Sequence, residues 1–347
     1  MADQVPTLEE VQTQVSAYLS DKWQTDVSAT DISQVFGGAS RETYILSLDV
    51  AGEARGVVVR RDPPSSLIDT ERALEYGAYA AIYPTEIPVP EPLFLEENVD
   101  ILGAPFSVMA QIPDAISDVT QLDDAGRAAI GQQKWQILGQ LAAKDPLELG
   151  FDQFCPKTDV ERSAQQQLDY WAAVIHDDEI HPQPVAEAAI RWLQNHMPAP
   201  AQKLSVVHGD FRTGNFLHRD NKITGVLDWE MCHLGDPLED LAWSLDPLWS
   251  WANPDLAGNL LPHDEAIKIW ETASGLTVNL DDFFWWRVFA ALKGLAIWIS
   301  SSEDFHHGAG KQSILAYAGW VMTDRQSRIL LDYLSPVSSK QFGGPRK

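Results

Sequence analysis

The stretch VVHGDFRTGNFLHRDNKITGVLDWE, Val206 to Glu230, sets acidic, carboxamide and imidazole side chains between short apolar runs. LSVVHGD and ITGVLDW read as β-type segments, with a polar turn at Arg219 to Lys222. Asp210 closes the first run, Asn215 follows five residues later on a loop, and Asp228 closes the second run. A hairpin would bring the three together. One carboxylate and one carboxamide leave room for water and phosphate oxygens around a hard ion, which is how Mg²⁺ is held. Such an ion suits a nucleotide. Asp210, just ahead of the loop, is then placed to orient a substrate hydroxyl and accept its proton as a γ-phosphoryl group moves.

Outward from that stretch the chain divides by pattern. Thr7 with Glu10 forms a capping box ahead of Leu8, Val11, Val15 and Leu19, so the chain opens with an amphipathic helix. ETYILSLDV and ARGVVVRRD, joined at Ala51-Gly52-Glu53, predict a hairpin. A helix is expected over Thr70 to Ile82, ending before YPTEIPVPEP, whose prolines force extended backbone. LFLEE and PFSVMAQI read as two further strands around a turn at Asn98 to Gly103. From about Gln121 the patterns turn helical: Asp123 to Ala143, Asp159 to His176, Val185 to His196, and again from Pro237 to Leu334. The final PVSSKQFGGPRK is expected to be disordered.

Composition narrows the possibilities. The 347 residues suffice for two lobes with their own cores, and two cysteines, Cys155 and Cys232, offer no disulfide framework. The N-terminal MADQVPTLEE has no basic start and no apolar core, so the expected location is the cytoplasm. The apolar segment Phe283 to Ser300 is interrupted by Arg287 and Lys293, which favours a buried helix over a membrane span. A net charge of −25 repels polyphosphate backbones and argues against a nucleic-acid partner. That charge reads either as a solubilising surface or as a preference for a cationic substrate. No feature calls for an obligate protein partner.

Taken in order, HGDFRTGN, VLDWE and GDPLEDLAW resemble the aminoglycoside phosphotransferase and choline kinase-like superfamily, in the branch related to phosphotransferase domains found beside acyl-CoA dehydrogenases. FGGASRETY, VVVRRDPP, IPVPEPLFL and APFSVMAQI extend the resemblance over nearly the whole chain. It implies an α+β, two-lobed protein-kinase-like fold: a β-rich N-lobe over 1–107, a hinge at 108–115 and a mainly helical C-lobe over 116–335. It implies ATP and Mg²⁺ as cofactors and a small-molecule hydroxyl as acceptor. Asp210 is the implied catalytic aspartate, Asn215 and Asp228 the metal ligands, and His208 a support for the catalytic loop. Gly37, Gly38 and Ser40 are the implied phosphate turn, which lacks G-x-G-x-x-G.

Where kinase-like folds place a lysine on the third strand, this chain has Arg60, with Glu75 as its implied partner. Strand alternation sends Arg60 and its neighbour Arg61 to opposite faces, and alignment of VVVR selects Arg60. Backbone groups of Met109, Ala110, Gln111 and Ile112 are the implied adenine hinge. Arg212, where many relatives carry histidine, is a candidate contact to phosphate or substrate, and Thr213 also departs from the pattern.

Asp236 and Asp240 read as helix caps and loop braces rather than metal ligands. His208 with Asp210, and His218 with His233, would suit a transition-metal hydrolase, but Asn215 is a poor zinc ligand. A pseudokinase should have lost one of Asp210, Asn215 and Asp228, and all three are present. Of Trp243, Trp249, Trp251, Trp285, Trp286 and Trp298, those beside Asp210 are candidates to wall an acceptor pocket, and the others are expected in the core.

Overall fold

A computed structural model describes residues 6–35, 42–62, 72–250, 252–307 and 313–335. Gly37, Gly38, Ser40, Trp251 and the tail 336–347 lie outside the described residues.

Helix α1 (Leu8–Trp23) begins at the predicted capping box, where the Thr7 hydroxyl accepts from the Glu10 amide at 3.3 Å and Glu10 accepts from the Thr7 amide at 2.8 Å. Five strands follow, with one helix in the crossover: β1 (Val27–Val35), β2 (Glu42–Val50), β3 (Glu53–Arg61), α2 (Arg72–Ile82), β4 (Pro92–Glu96) and β5 (Phe106–Ala110). They form one antiparallel sheet in the order β1-β2-β3-β5-β4. Ala51 and Gly52 both have positive φ, the two-residue hairpin geometry whose twist matches the strands it joins.

Strand alternation divides the sheet into two faces. Tyr44, Leu46, Leu48, Val57 and Val59 pack beneath α1 with Val11, Val15 and Leu19 in a separate small core. Thr43, Ile45, Val58 and Arg60 occupy the opposite face and line a cleft.

Strand β1 was not foreseen. Only Val27 of its nine residues is buried, as befits an edge strand with little apolar content to betray it. The expected turn at Asn98 to Gly103 is a short helix, α3 (Val99–Leu102), capped by the Asn98 side chain and ended by Gly103 at φ 75°.

Beyond β5 the chain is mainly helical. Helices α4 (Asp124–Ala143), α5 (Ser163–Asp178) and α6 (Pro184–Asn195) precede β6 (Ser205–Val207), β7 (Phe216–Arg219), β8 (Lys222–Val226) and β9 (His233–Gly235). Then come α7 (Leu238–Ser244), the minimal hairpin β10 (Leu256–Ala257) and β11 (Leu261–Pro262), α8 (His263–Ser274), α9 (Leu280–His307), α10 (Ser313–Tyr317) and α11 (Thr323–Leu334). Helix α9 is long and apolar enough to cross a membrane, but 78% of its most apolar window is buried inside the protein. Its Phe284, Trp285, Trp286, Val288, Phe289 and Leu292 are core residues. Trp285 and Trp286 thus belong to packing.

The hairpin inside the opening stretch differs from expectation. The run ending at Asp228 pairs with β7, not with the run ending at Asp210, which pairs instead with β9. Asp220 and Asn221, at φ 51° and 58°, supply the tight β7–β8 turn, so the closer segment Phe216–Arg219 captures β8. Asp210 and Asp228 nonetheless line one cleft.

Candidate active site

Two short loops at the strand ends carry the candidate site residues. The loop after β6 begins at His208, which is fully buried, and its ring fixes both flanks: Nε2–H donates to the Leu227 carbonyl at 2.9 Å, and Nδ1 accepts from the Asp210 amide at 3.1 Å. Burial pushes this imidazole down to about 4, so it is neutral and serves as a strut. Asp240 on α7 accepts from the amides of His208 (2.6 Å) and Gly209 (2.9 Å), bracing the loop. Asp236 accepts from the Leu238 amide at 2.9 Å and from the Trp286 indole at 3.2 Å, bracing the turn into α7, whose N-cap position is Pro237.

Gly209 sits at φ 85°, and a Cβ there would fall 2.3 Å from the Met231 carbonyl oxygen. No other residue fits that close approach. From below, Lys293 of α9 donates to the Gly209 carbonyl at 2.7 Å and to Glu239 at 2.9 Å, both ends of that pair being 1% exposed. Burial would raise Glu239, yet Lys293 and His233 override it and hold the carboxyl at about 2.

Asp210 is held from two sides. Trp243 Nε1–H donates to Oδ1 at 2.8 Å, while Asn215 Nδ2–H donates to Oδ2 at 2.6 Å. Arg212 Nε lies 3.3 Å from Oδ2, and its guanidinium lies 5.1 Å from the centre of the Trp249 ring. Because the Asn215 amide nitrogen is spent on Asp210, its carboxamide oxygen remains as an acceptor.

Asp228 has φ 61° and ψ 57°, a left-handed conformation unusual for a residue with a side chain. Its amide donates to the Tyr79 hydroxyl of α2 at 3.0 Å. Arg60 Nη1 reaches two carboxylates at once, Asp228 at 2.7 Å and Glu75 at 2.8 Å. Burial raises the Asp228 carboxyl and Arg60 opposes it, with the net result below the usual aspartate range. Arg61 points to the other sheet face, where it bonds Glu42 and the Leu102 carbonyl.

Arg60, Asp228, Asp210, Arg212 and Asn215 therefore line one cleft of about 900 Å³. Val35, Ile45 and Val58 of the sheet and Leu217 and Leu227 also line it, an apolar slot of the kind that holds a flat ring. Met109, Ala110 and Ile112 of the expected hinge also line the cleft. The Ala110 amide is committed to the Glu91 carbonyl and the Gln111 amide to the Gly56 carbonyl, both at 2.9 Å. Sheet pairing continues through both residues, and Gln111 is not among the lining residues.

Trp243 and Trp249 line the cleft with Trp298 of α9. The braces Lys293 and Lys134, and the Trp243 bond to Asp210, escaped sequence reading. Lysines in apolar helices carry no mark of the partner they find.

Among the described residues no three His, Cys, Asp or Glu side chains gather into a metal site. His208 and His218 are engaged with the Leu227 and Asp118 carbonyls, and His233 lies between the Met231 carbonyl and Glu239. The imidazoles thus serve the framework.

Residues 31–274 match the family model described as the phosphotransferase enzyme family. Acyl-CoA dehydrogenase family member 10 of Mus musculus is 31% identical over 221 residues, covering 62% of this chain and 20% of that protein. Acyl-CoA dehydrogenase family member 11 of Rattus norvegicus is 27% identical over 320 residues, covering 85% of this chain and 40% of that protein. The chain thus spans a fifth to two fifths of the length of these curated relatives.

Among solved structures, a candidate aminoglycoside phosphotransferase of Ralstonia eutropha superposes with a TM-score of 0.72 at 20% identity, over 92% of this chain and 97% of that one. A thermostable mutant of the aminoglycoside phosphotransferase APH(4)-Ia, in ternary complex with ADP and hygromycin B, superposes with a TM-score of 0.57 at 19% identity, over 91% and 98%. At such identities the likeness concerns the fold, a small antiparallel-sheet lobe on a mainly helical one, as in protein kinases. With a family model matched over most of its length and that fold around the cleft, the chain belongs to the phosphotransferase enzyme family.

Proposed function

We propose that the chain transfers the γ-phosphoryl group of ATP to a hydroxyl of a small molecule, with Mg²⁺ as cofactor. The observation that carries this is the convergence, on one cleft, of the Glu75–Arg60–Asp228 chain with the Asp210–Asn215 pair. ADP in the complex of the structural neighbour supports a nucleotide, and hygromycin B there supports a small-molecule acceptor.

Asp210, held by Trp243 and Asn215, orients the acceptor hydroxyl and takes its proton. Arg60, set by Glu75, meets the nucleotide phosphates, and Arg212 faces the transferred group. The Asn215 carboxamide oxygen and the Asp228 carboxylate form an all-oxygen donor pair that fits Mg²⁺. When bound there, the ion supplies charge neutralisation between phosphate oxygens. The apolar slot takes the base, with backbone groups at Ile112 at its edge.

On the acceptor side, the described residues of α9, α10 and the turn before α11 contribute Ile297, Trp298, Ile314, Tyr317 and Met322 and no carboxylate, while Asp118 and Glu230 line the cleft from other elements. Such a wall suits a hydroxyl on an apolar body, such as a hydroxyacyl thioester, better than a polycationic aminoglycoside. The net charge of −25 then belongs to the surface at large.

A panel of small-molecule alcohols, scored for Mg²⁺-dependent ADP release, tests the reading. Asp210→Asn should abolish the acceptor-dependent signal, and Asp228→Ala should abolish turnover and metal-dependent nucleotide binding together. Full turnover by Asp228→Ala would remove the metal assignment.

A further inference from the structure

Lys134 lies in the middle of α4 and is 0% exposed, although no carboxylate among the described residues forms an ion pair with it. Its Nζ donates to the Thr213 hydroxyl at 3.1 Å and stands 4.6 Å from the centre of the Trp135 ring. The Thr213 hydroxyl in turn donates to the Gly258 carbonyl at 3.0 Å, so its free lone pair faces the lysine. Gly258, at φ 53°, closes the corner: a Cβ there would come 2.4 Å from the Thr213 hydroxyl and 3.0 Å from Lys134 Nζ. Burial, with Arg212 nearby, brings the amine down to about 7, against an opposing pull from Asp210.

Placing an amine in the interior without a carboxylate is costly, and an apolar side chain there would serve stability better. What Lys134 reaches is the turn that carries the reactive groups. Thr213 follows Arg212, and the Asn215 amide bonds the Arg212 carbonyl at 3.1 Å. A shift at Thr213 therefore displaces Arg212 first.

We propose that Lys134 is a positioning residue for phosphoryl transfer, acting through Thr213 to hold the Arg212–Asn215 turn so that Arg212 meets the γ-phosphate. This rests on the phosphotransferase reading above. The test compares Mg²⁺-dependent binding of AMP-PNP and of ADP by calorimetry in the full chain, because only the former carries a γ-phosphoryl group. Lys134→Met and Thr213→Val should each weaken AMP-PNP by about tenfold, the size of one lost charge-assisted hydrogen bond, with ADP unchanged within about twofold. Their double variant should be no weaker than either alone, since one link is cut twice. Thr213→Ser, which keeps the hydroxyl, should restore the wild-type ratio.

A purely structural lysine would lower both affinities equally, or neither, and either result overturns the proposal. So does full additivity of the two substitutions. If Lys134→Met fails to fold, Thr213→Val must by itself reproduce the selective loss, and an unchanged ratio refutes the route. Failure of the wild-type chain to bind either nucleotide would instead refute the phosphotransferase reading itself.

Discussion

Replacing Lys293 with methionine should unfold much of what supports the loop at His208 to Asn215, and the size of the effect follows from burial. Lys293 and Glu239 are each 1% exposed and 2.9 Å apart, and the same amine donates to the Gly209 carbonyl at 2.7 Å. Methionine fills nearly the same volume, so the loss is electrostatic. Glu239 is left buried with His233, 3.0 Å away, as its remaining partner, and the Gly209 carbonyl loses its donor.

Breaking one side of such a pair costs about 3–5 kcal/mol, against a total stability of about 5–15 kcal/mol for a folded domain. Urea unfolding should show that loss as a lower midpoint at unchanged slope. Adding Glu239→Gln should recover at least about 1.5 kcal/mol, because the stranded charge is then gone.

The sign of the pH dependence is fixed as well. Glu239 is held at about 2 in the folded chain, so its stabilising contribution is full above the ordinary glutamate range and lost as pH falls through about 2. The deficit of Lys293→Met should shrink over the same window. A single-variant loss under about 1 kcal/mol, or a double variant no more stable than the single, would refute the reasoning.

Gly209→Ala should fail to fold or lose at least about 3 kcal/mol, since its Cβ meets the Met231 backbone at 2.3 Å; a stable alanine variant in urea melts would show that the loop is built differently. Asp246, 3% exposed, is pushed up to about 6 by burial, so its contribution is full below the ordinary aspartate range and lost as pH rises through about 6. Relative to Asp246→Asn, the wild type should therefore lose up to about 3 kcal/mol between pH 4 and 7, and a flat difference would contradict the burial argument. Trp243→Phe keeps an aromatic side chain but removes the indole N–H and its 2.8 Å bond to Asp210; turnover should drop about ten- to a hundredfold in protein that is still folded, alongside a stability loss of about 1–3 kcal/mol from the smaller ring, and an undiminished rate would separate Trp243 from catalysis.

Much of this protein was legible in its amino-acid order because the deciding forces are local. The capping box of α1 spans three residues, and the Ala51-Gly52 turn sets the register of the hairpin on either side. The motifs HGDFRTGN, VLDWE and GDPLEDLAW pointed to the family that the chain belongs to, and period-2 alternation already separated Arg60 from Arg61.

Tertiary structure decided the rest. β1 carries too little apolar content to be read alone and exists because β2 offers it an edge. β6 pairs with β9 rather than with the run at Asp228, since the tight turn at Asp220-Asn221 gives β8 to β7 first. Lys293 finds Gly209 across 84 positions, and Lys134 finds Thr213 across 79. Turns, caps and strand alternation depend on neighbours a few residues away, so the sequence determined them unaided. A buried charge depends on whichever distant group the packed chain places beside it, and only the assembled structure supplies that group.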